Sequence, residues 1–347
     1  MSAATQRFVQ RNVQLERGGV LPVVETAYLT RGRLESDASN AVLVTHGYTS
    51  GPDMIESTAY AAEGAWDAIV GPGQPIDTDR YFVVCPNALG SSFGSTNASS
   101  VEPATGKPYG SRFPEITVKD IVAGQKALLE QLGIHHLCAV IGPSFGGAQV
   151  FQWGVDFPDC VAALVAVLCA PSMQGNPAQI EARLAGDPHW KGGDYYETGG
   201  MEGVLEEMRA ASLRRFGIDA VLEQRIADEA ERARELSRLA RNWAQRFDAN
   251  SLLILMKTMA RFNVTDQLHR IRAPLLYVLS RTDHIFPPSL APAVLEQLKN
   301  AGVSTQYFEI DSEYGHFASS ADAAKWTPTL REFLRGIAAF QTGRSPE

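Results

Sequence analysis

Short runs of apolar residues recur along this 347-residue chain, and each run has the length of a β-strand. The runs are nearly continuous in Val, Leu, Ile and other apolar residues, as expected of strands buried on both faces of a mostly parallel sheet. Helical patterns separate them, and this alternation predicts an α/β layered fold. The predicted strands are Ala41–Thr45, Tyr81–Cys85, Leu137–Ile141, Ala162–Leu168, Leu275–Leu279 and Thr305–Ile310.

The segments between these runs carry helix signals. Thr117 and Asp120 have the spacing of a capping box, apolar positions follow at helical spacing, and Gly133 supplies a stop. Amphipathic helices are also predicted over Ser289–Lys299 and Trp326–Phe340. The alternating stretch Phe8–Leu15 predicts an antiparallel start to the sheet.

One connection is too long for a simple crossover. Roughly 100 residues separate the strand at Ala162–Leu168 from the strand at Leu275–Leu279, whereas a crossover needs about a dozen. Pro171–Asn263 is therefore predicted to be a helical insertion over one end of the sheet, with helices within Glu223–Arg246 and Ser251–Phe262. The expected organisation is a core of residues 1–170 and 264–347 with a helical lid at 171–263.

Charge and composition exclude several classes of protein. The net charge of −8 argues against nucleic-acid binding, and the sequence contains no Lys/Arg-rich run to attract an anionic membrane. The first residues lack the apolar core of a signal peptide, and the longest apolar stretch, Val161–Ala170, is too short to cross a bilayer. We therefore expect a soluble, cytoplasmic protein that acts on a small molecule.

Residue types that would hold a metal or a phosphate are not grouped. The cysteines have no CxxC spacing and are interpreted as reduced core residues: Cys85, Cys138, Cys160 and Cys169. The sequence has no phosphate-binding glycine loop of the P-loop or dinucleotide type and no HExxH motif. The expectation is an enzyme with no metal and no bound cofactor.

The pattern G-x-S-x-G occurs twice, and its context distinguishes the two copies. Gly142–Gly146 follows a predicted strand directly and continues into a helical pattern, which is the strand–turn–helix arrangement of a nucleophile elbow. Gly90–Gly94 leads into a Ser-rich segment with loop composition. Ser144 is therefore the predicted nucleophile, and Ser92 is interpreted as a loop residue.

A serine nucleophile needs a base and an acid, and in this arrangement they follow in the order serine, acid, histidine. His316 lies in a loop after the last predicted strand, where the base is expected. Asp283 follows the preceding strand and is the predicted acid, whereas its rival Asp311 ends the strand that delivers the histidine. The carboxylate would fix the imidazole tautomer.

Two backbone amides are candidates for an oxyanion hole. The Phe145 amide follows the serine at a helix N-terminus, where the helix dipole favours negative charge. The second donor is expected in the loop that begins with His46 and Gly47 after the Ala41–Thr45 strand, and the Tyr48 amide is the best candidate.

Several segments of the chain have the pattern of one enzyme family. The most specific block runs from Trp66 to Gly90 and continues in Gly94-Ser-Thr. Further segments are Thr105–Gly110, Phe113–Asp120, Leu132–Ile134, the elbow, Arg246–Ser251, Asp283–Pro288 and Gly315–His316. In these segments the chain resembles the homoserine O-acetyltransferase family of the α/β hydrolase fold. The resemblance implies that acetyl-CoA acylates Ser144 and that the acyl group then passes to a hydroxyl. It also implies a homodimer formed through helices of the insertion.

The chain departs from the family pattern at several positions. Pro143 and Phe145 replace the family's usual Gly and Met in the elbow. Phe317 stands where the family usually has an aspartate that pairs with the substrate ammonium, and an apolar side chain there disfavours an ammonium. For the family's carboxylate-binding arginine, Arg215 is the nearest candidate, with Arg214 beside it.

Three functions remain open from the sequence. The first is an acyltransferase with a hydroxyl acceptor, and the second is a carboxylic ester hydrolase that uses the same triad with water. Only the shape and chemistry of the pocket would choose between these two nucleophiles. The third is a binding protein on a hydrolase fold; such a protein would be expected to lack a triad member, and all three members are present here.

Overall fold

A computed structural model describes residues 5–56 and 64–342, with side chains described as far as residue 337. Its centre is an eight-stranded sheet of order β1-β2-β4-β3-β5-β6-β7-β8. The strands are β1 (Gln6–Gln14), β2 (Val20–Arg31), β3 (Ala41–Val44), β4 (Phe82–Pro86), β5 (Ala139–Pro143), β6 (Leu164–Val167), β7 (Leu275–Ser280) and β8 (Thr305–Ile310).

Helices connect the strands and cover the sheet. They are α1 (Val118–Gln131), α2 (Phe145–Asp156), α3 (Pro177–Ala185), α4 (Glu202–Phe216), α5 (Ile218–Arg225), α6 (Glu229–Ala244), α7 (Ala249–Ala260), α8 (Ala291–Asn300), α9 (Ala318–Ala321) and α10 (Ala323–Thr342). One large apolar cluster includes Phe151, Trp153 and Tyr277, and a second includes Trp66 and Trp326. No helix in this part of the chain is both long enough and apolar enough to cross a membrane.

The sheet is parallel from β4 through β8, as the apolar runs predicted. Every residue of β3, β6 and β7 is buried, because helices pack on both faces of these strands. The antiparallel start is also confirmed, since β1 pairs antiparallel with β2 and β2 pairs antiparallel with β4. The predicted strands all form, with ends shifted by up to two residues.

The local helix signals are confirmed in detail. At the start of α1 the Asp120 amide donates to Thr117 Oγ1 at 3.2 Å, and the Thr117 amide donates to Asp120 Oδ2 at 2.8 Å. This reciprocal pair satisfies two of the amides that a helix N-terminus leaves unpaired. The predicted C-terminal helix begins three residues earlier than expected and forms α10.

Helices α3 to α7 occupy the long connection between β6 and β7. They contact the loop that follows β3: Tyr48 Oη donates to the Leu252 carbonyl at 2.7 Å, and Trp243 Nε1 donates to the Thr49 carbonyl at 2.9 Å. The inserted helices therefore lie against the carboxyl end of β3, where ligand sites of open α/β sheets occur. The division into a core and a lid stays a prediction.

Candidate active site

Ser144 lies at the sharp turn between β5 and α2. Its backbone has φ 54° and ψ −121°, a strained conformation for a residue with a side chain. The turn is crowded, since a Cβ added at Gly146 would come 2.3 Å from the Thr45 carbonyl oxygen and one at Gly142 would come 2.1 Å from Thr45 Oγ1. Glycine at these positions therefore lets the elbow pack directly against the residue that follows β3.

The second G-x-S-x-G copy forms a loop, as predicted from its composition. Ser92 Oγ accepts a hydrogen bond from the Asp248 amide at 2.9 Å, just before the start of α7. Ser92 is not among the residues that line the cavity at Ser144. Its hydroxyl thus joins the Gly90–Gly94 loop to an inserted helix.

Asp283 and His316 form a hydrogen-bonded pair. Asp283 Oδ2 lies 2.8 Å from His316 Nδ1, and Asp283 Oδ1 accepts from the Ile285 and Phe286 amides at 2.7 and 3.3 Å. Because an ionised carboxylate only accepts, the Nδ1 atom carries the proton of this bond. Burial acts to raise the pKa of Asp283, but the His316 charge and these hydrogen bonds outweigh it and hold the pKa below its ordinary value.

The loops that carry this pair are joined to each other. Thr282 Oγ1 donates to the Ser312 carbonyl at 2.8 Å and accepts from the Gly315 amide at 3.1 Å. The His316 ring lies between two aromatic rings, with centroids 5.3 Å away for Phe216 and 5.9 Å away for Phe286. Hydrogen bonds and packing therefore hold the imidazole in one orientation.

The rival acid, Asp311, faces solvent. Its side chain is 82% exposed and forms an ion pair with Arg281, at 2.9 Å from Arg281 Nε. The Asp283 side chain is fully buried, and His316 is 11% exposed. The structure thus brings Asp283, and not Asp311, to the imidazole.

Ser144 and His316 line one cavity of about 70 Å³. The loop after β3 forms part of its wall, and residues of α4 and of the His316 loop form another part. The lining residues are Gly47, Tyr48, Thr49, Ser50, Met54, Gly64, Trp66, Pro143, Ser144, Arg209, Phe216, His316, Phe317, Ser319 and Ser320. This volume holds a ligand fragment of a few non-hydrogen atoms, because about 10–15 Å³ on this measure holds one water.

Phe145 and Tyr48 carry the two predicted oxyanion donors, and a Cβ added at Gly47, next to Tyr48, would lie 4.0 Å from Ser144 Cβ. Phe145 is the first residue of α2, so its amide is one of those that the helix leaves without an internal acceptor. On the other side, the carbonyl of Gly47 lies 2.8 Å from His46 Nδ1. In a trans peptide the N–H points opposite to the C=O, so the Tyr48 amide is directed away from His46.

His46 is a buried structural residue at this loop. Its Nε2 accepts from the Ala88 amide at 2.9 Å, so the ring proton lies on Nδ1 and is donated to the Gly47 carbonyl. Burial lowers the pKa of His46, which keeps the ring in this neutral form. The imidazole therefore fixes the peptide that carries the Tyr48 amide.

The arginine that lines the cavity is Arg209, whereas Arg215 is exposed and does not reach it. Arg209 is only 2% exposed. Its Nη1 donates to Thr49 Oγ1 at 2.7 Å, and its guanidinium lies 5.0 Å from the centre of the Trp243 ring. Arg215 lies six residues further along α4 than Arg209, a rotation of about 240°, so the two side chains are on different faces of the helix.

A sequence signal for Arg209 exists. Leu205, Arg209 and Leu213 follow each other at spacings of four residues, and all three are buried. An arginine within an apolar stripe of a helix is therefore directed towards the interior. Phe317, the other predicted substrate-binding residue, is 6% exposed and lines the cavity beside His316.

Within the described residues, no group of three or more His, Cys, Asp or Glu side chains is arranged to hold a metal ion. The cysteines in this part of the chain are all free thiols. The side chains that line the cavity include the Ser144 hydroxyl, the His316 imidazole and the Arg209 guanidinium.

Comparison with known proteins connects this geometry to named enzymes. Residues 40–322 match the alpha/beta hydrolase fold family. A homoserine O-acetyltransferase of Pelobacter propionicus is 34% identical over 355 residues, covering 94% of this chain and 94% of that protein. One of Geobacter sulfurreducens is 35% identical over 352 residues, covering 94% and 96%.

Solved structures of the same shape include two kinds of enzyme. Esterase E22 superposes with a TM-score of 0.84 at 26% identity, covering 95% of this chain and 99% of that one. A homoserine O-acetyltransferase from Bacillus anthracis superposes with a TM-score of 0.82 at 24% identity, covering 95% and 97%. The likeness to the Bacillus anthracis enzyme shows that the two chains share a fold.

Proposed function

Because the chain belongs to the homoserine O-acetyltransferase family of the α/β hydrolase fold, we propose that it moves an acetyl group from acetyl-CoA to a hydroxyl through an acyl-Ser144 intermediate. The observation that carries the proposal is the 2.8 Å contact between Asp283 and His316 at a cavity that Ser144 also lines. A buried carboxylate, a nearly buried imidazole and a serine on a strained turn are the parts that acyl transfer needs.

In the acylation step, His316 Nε2 takes the proton of Ser144 Oγ as the oxygen attacks the thioester carbonyl. The negative oxygen that forms is stabilised by the Tyr48 and Phe145 amides. The carbon–sulfur bond then breaks, and the thiol of CoA leaves with the proton from the imidazolium. Asp283 keeps the imidazole in the required tautomer and stabilises its charged form.

The transfer step repeats these proton transfers and bond changes with an acceptor hydroxyl as the nucleophile. His316 takes the proton of the acceptor hydroxyl, whose oxygen attacks the acyl carbon. The bond to Ser144 Oγ breaks, and the serine recovers its proton from the imidazolium. The products are an O-acetyl ester and free enzyme, so protons and electrons balance over the two steps.

Arg209 is the proposed contact for a substrate carboxylate. It is a buried cation on the wall of the cavity, and charge-assisted hydrogen bonds to a carboxylate are among the stronger ones in proteins. Phe317, beside the base, disfavours a substrate ammonium at that place because an apolar ring offers it no counter-charge.

A second candidate function is carboxylic ester hydrolysis, in which water takes the place of the acceptor hydroxyl. Phe317 favours it, since an acceptor with an ammonium loses its usual partner. The 26% identity to esterase E22 over 95% of this chain also favours it. The same residues serve in the same roles, so the two functions differ only in the nucleophile that enters the cavity.

One experiment separates the candidates. The protein is incubated with acetyl-CoA, with and without L-homoserine, and free thiol is followed; an aryl acetate is assayed in parallel. Ser144→Ala is compared with Ser92→Ala, which removes the serine of the other G-x-S-x-G copy. We expect an acetyl adduct on Ser144 in mass spectra, and loss of turnover only in Ser144→Ala.

The outcomes differ between the candidates. Thiol release that depends on homoserine supports transfer to that acceptor. Aryl acetate turnover that is independent of any acceptor supports hydrolysis. Full turnover in Ser144→Ala, or no turnover and no adduct in the unchanged protein, contradicts both.

A further inference from the structure

Three buried side chains form a hydrogen-bonded relay beneath the candidate site. Trp153 Nε1 donates to Gln125 Oε1 at 2.8 Å, and Gln125 Nε2 donates to Gln149 Oε1 at 2.6 Å. Gln149 Nε2 then donates to the His46 carbonyl at 3.3 Å and to the Phe145 carbonyl at 3.2 Å. Trp153 and Gln149 are fully buried and Gln125 is 2% exposed, so the relay lies away from water.

The direction of the relay is fixed by its first member. An indole N–H only donates, so the oxygen of the Gln125 amide must face Trp153. The Gln125 nitrogen is then left for Gln149, whose oxygen must face it. As a result the Gln149 nitrogen is always turned towards the His46 and Phe145 carbonyls, and a flip of either amide would place like groups together.

These two carbonyls belong to the two segments that carry the proposed oxyanion donors. Phe145 opens α2 and bears one donor amide itself. His46 begins the loop after β3, and the Tyr48 amide lies two residues further on. The Gln149 side chain is thus bonded to both segments at once, and it joins them together with Thr45, whose Oγ1 donates to the Gly146 carbonyl at 2.9 Å.

We infer that Gln149 is a positioning residue that holds the Tyr48 and Phe145 amides at the separation a tetrahedral oxyanion requires. The inference rests on the proposed function, since it needs an oxyanion beside Ser144. Oxyanion donors act only when they are correctly placed before the reaction, so a small shift between the two segments lowers the rate of the chemical step. Substrate binding depends on other residues of the cavity and is left unchanged.

The test compares two glutamines on the same helix. Gln149→Met keeps the length of the side chain and removes both hydrogen bonds to the carbonyls. Gln152→Met is the control: Gln152 is also buried on α2, but its amide donates to Asp156 at 2.8 Å and touches neither segment. The assay uses whichever reaction the unchanged protein catalyses, acetyl transfer from acetyl-CoA or aryl acetate hydrolysis. In that reaction Gln149→Met is expected to lower kcat about 10- to 100-fold with KM within about threefold. Gln152→Met is expected to keep both constants within about twofold, with a comparable loss of Tm.

Equal kcat values for the two variants overturn the inference, because a purely structural role would affect stability alone. If Gln149→Met does not fold, the kcat of Trp153→Phe is measured instead. It removes the indole N–H that sets the direction of the relay and keeps an aromatic ring in place. A loss of kcat larger than the twofold limit for Gln152→Met but smaller than that expected for Gln149→Met supports the inference. An unchanged kcat overturns it. Ser144→Ala is measured alongside: an active Ser144→Ala refutes the proposed function, whereas an inactive one with an unaffected Gln149→Met refutes the positioning role alone.

Discussion

At the scale of single residues, the Asp283 carboxylate is the most constrained group of the site. One of its oxygens accepts from two amides, and the other faces the His316 imidazole at 2.8 Å. Since the carboxylate is fully buried, its charge is felt by the imidazole with little screening by water. Asp283 therefore determines which nitrogen of His316 carries the proton.

The substitution Asp283→Asn tests that role. An amide in this place would turn its N–H₂ group towards His316 Nδ1 and favour the tautomer whose Nε2 cannot accept a proton. In the reaction that the unchanged protein catalyses, acetyl transfer or aryl acetate hydrolysis, we expect kcat to decrease about 10⁴-fold while the folded structure is retained. The control is Asp311→Asn, because Asp311 is exposed and pairs with Arg281 instead. Similar losses in the two variants would contradict the assignment.

His46 has a different effect, on the pH dependence of stability. Burial lowers its pKa in the folded protein, whereas in the unfolded chain a histidine titrates near pH ~6.5. Below that pH the unfolded chain binds a proton that the folded protein does not bind. The contribution of His46 to stability is therefore present above the unfolded pKa and decreases as the pH falls below it.

The expected dependence of the free energy of unfolding on pH can be measured by comparison with the variant His46→Asn, whose new side chain does not titrate in this range. Between the unfolded and folded pKa values, the free energy of unfolding should fall by up to about 1.4 kcal/mol per pH unit more in the unchanged protein than in the variant. Urea titrations between pH 7 and pH 5 give both slopes. Parallel slopes would show that His46 is protonated in the folded state as readily as in the unfolded state.

At the scale of secondary-structure elements, the face of α4 decides which cation reaches the cavity. Arg209 lies on the buried face and Arg215 on the exposed face. Arg209→Met is expected to raise KM for a carboxylate-bearing acceptor about 10- to 100-fold. The reason is that the variant loses one charge-assisted hydrogen bond, which contributes about 1.5–3 kcal/mol. Arg215→Met should leave KM unchanged. A neutral aryl acetate, assayed with both variants, controls for general damage, and an effect of Arg215→Met alone would reverse the assignment.

The close packing at the elbow predicts how a substitution at the contact between β3 and α2 changes the stability of the protein. A Cβ at Gly146 would lie 2.3 Å from the Thr45 carbonyl oxygen, so Gly146→Ala must push the helix away from the strand. We expect a loss of about 1–3 kcal/mol in the free energy of unfolding. Gly336→Ala on α10 is the control, because its added Cβ meets no atom within 4 Å and should stabilise the helix by up to about 1 kcal/mol. An unchanged Tm in Gly146→Ala would contradict the crowding.

The sequence predicted the elements better than the contacts between them. Apolar runs identify β3 to β7 because burial on both faces demands apolar side chains at nearly every position. The edge strand β8 is less apolar and carries the exposed residues Gln306 and Glu309. Ser144, Asp283 and His316 could be predicted as one group because each follows a strand, and the carboxyl ends of parallel strands meet at one edge of the sheet. Arg209 could have been predicted from its place in the apolar stripe of α4. Gln149 could not, since nothing local in the sequence states which residues of other elements face a helix.

At the scale of the whole molecule, the inserted helices are the part of the fold predicted to join two copies. Helix α6 is rich in Glu and Arg, and Arg234 on it is 72% exposed. We expect sedimentation equilibrium to give a mass of about twice the 37.7 kDa of the chain. Arg234→Glu should weaken the association, whereas Arg11→Glu, on the exposed side of β1, should not. A single-chain mass at micromolar concentration would contradict the predicted dimer.

The order in which the site residues occur along the chain has a consequence for biosynthesis. Ser144 precedes the inserted helices, while Asp283 and His316 follow them and come from the last two strands. A nascent polypeptide that has left the ribosome as far as residue 282 therefore carries the serine and all the inserted helices but neither the acid nor the base. Its serine hydroxyl lacks both of these partners, so the proposed acylation of Ser144 requires a chain whose translation is nearly complete.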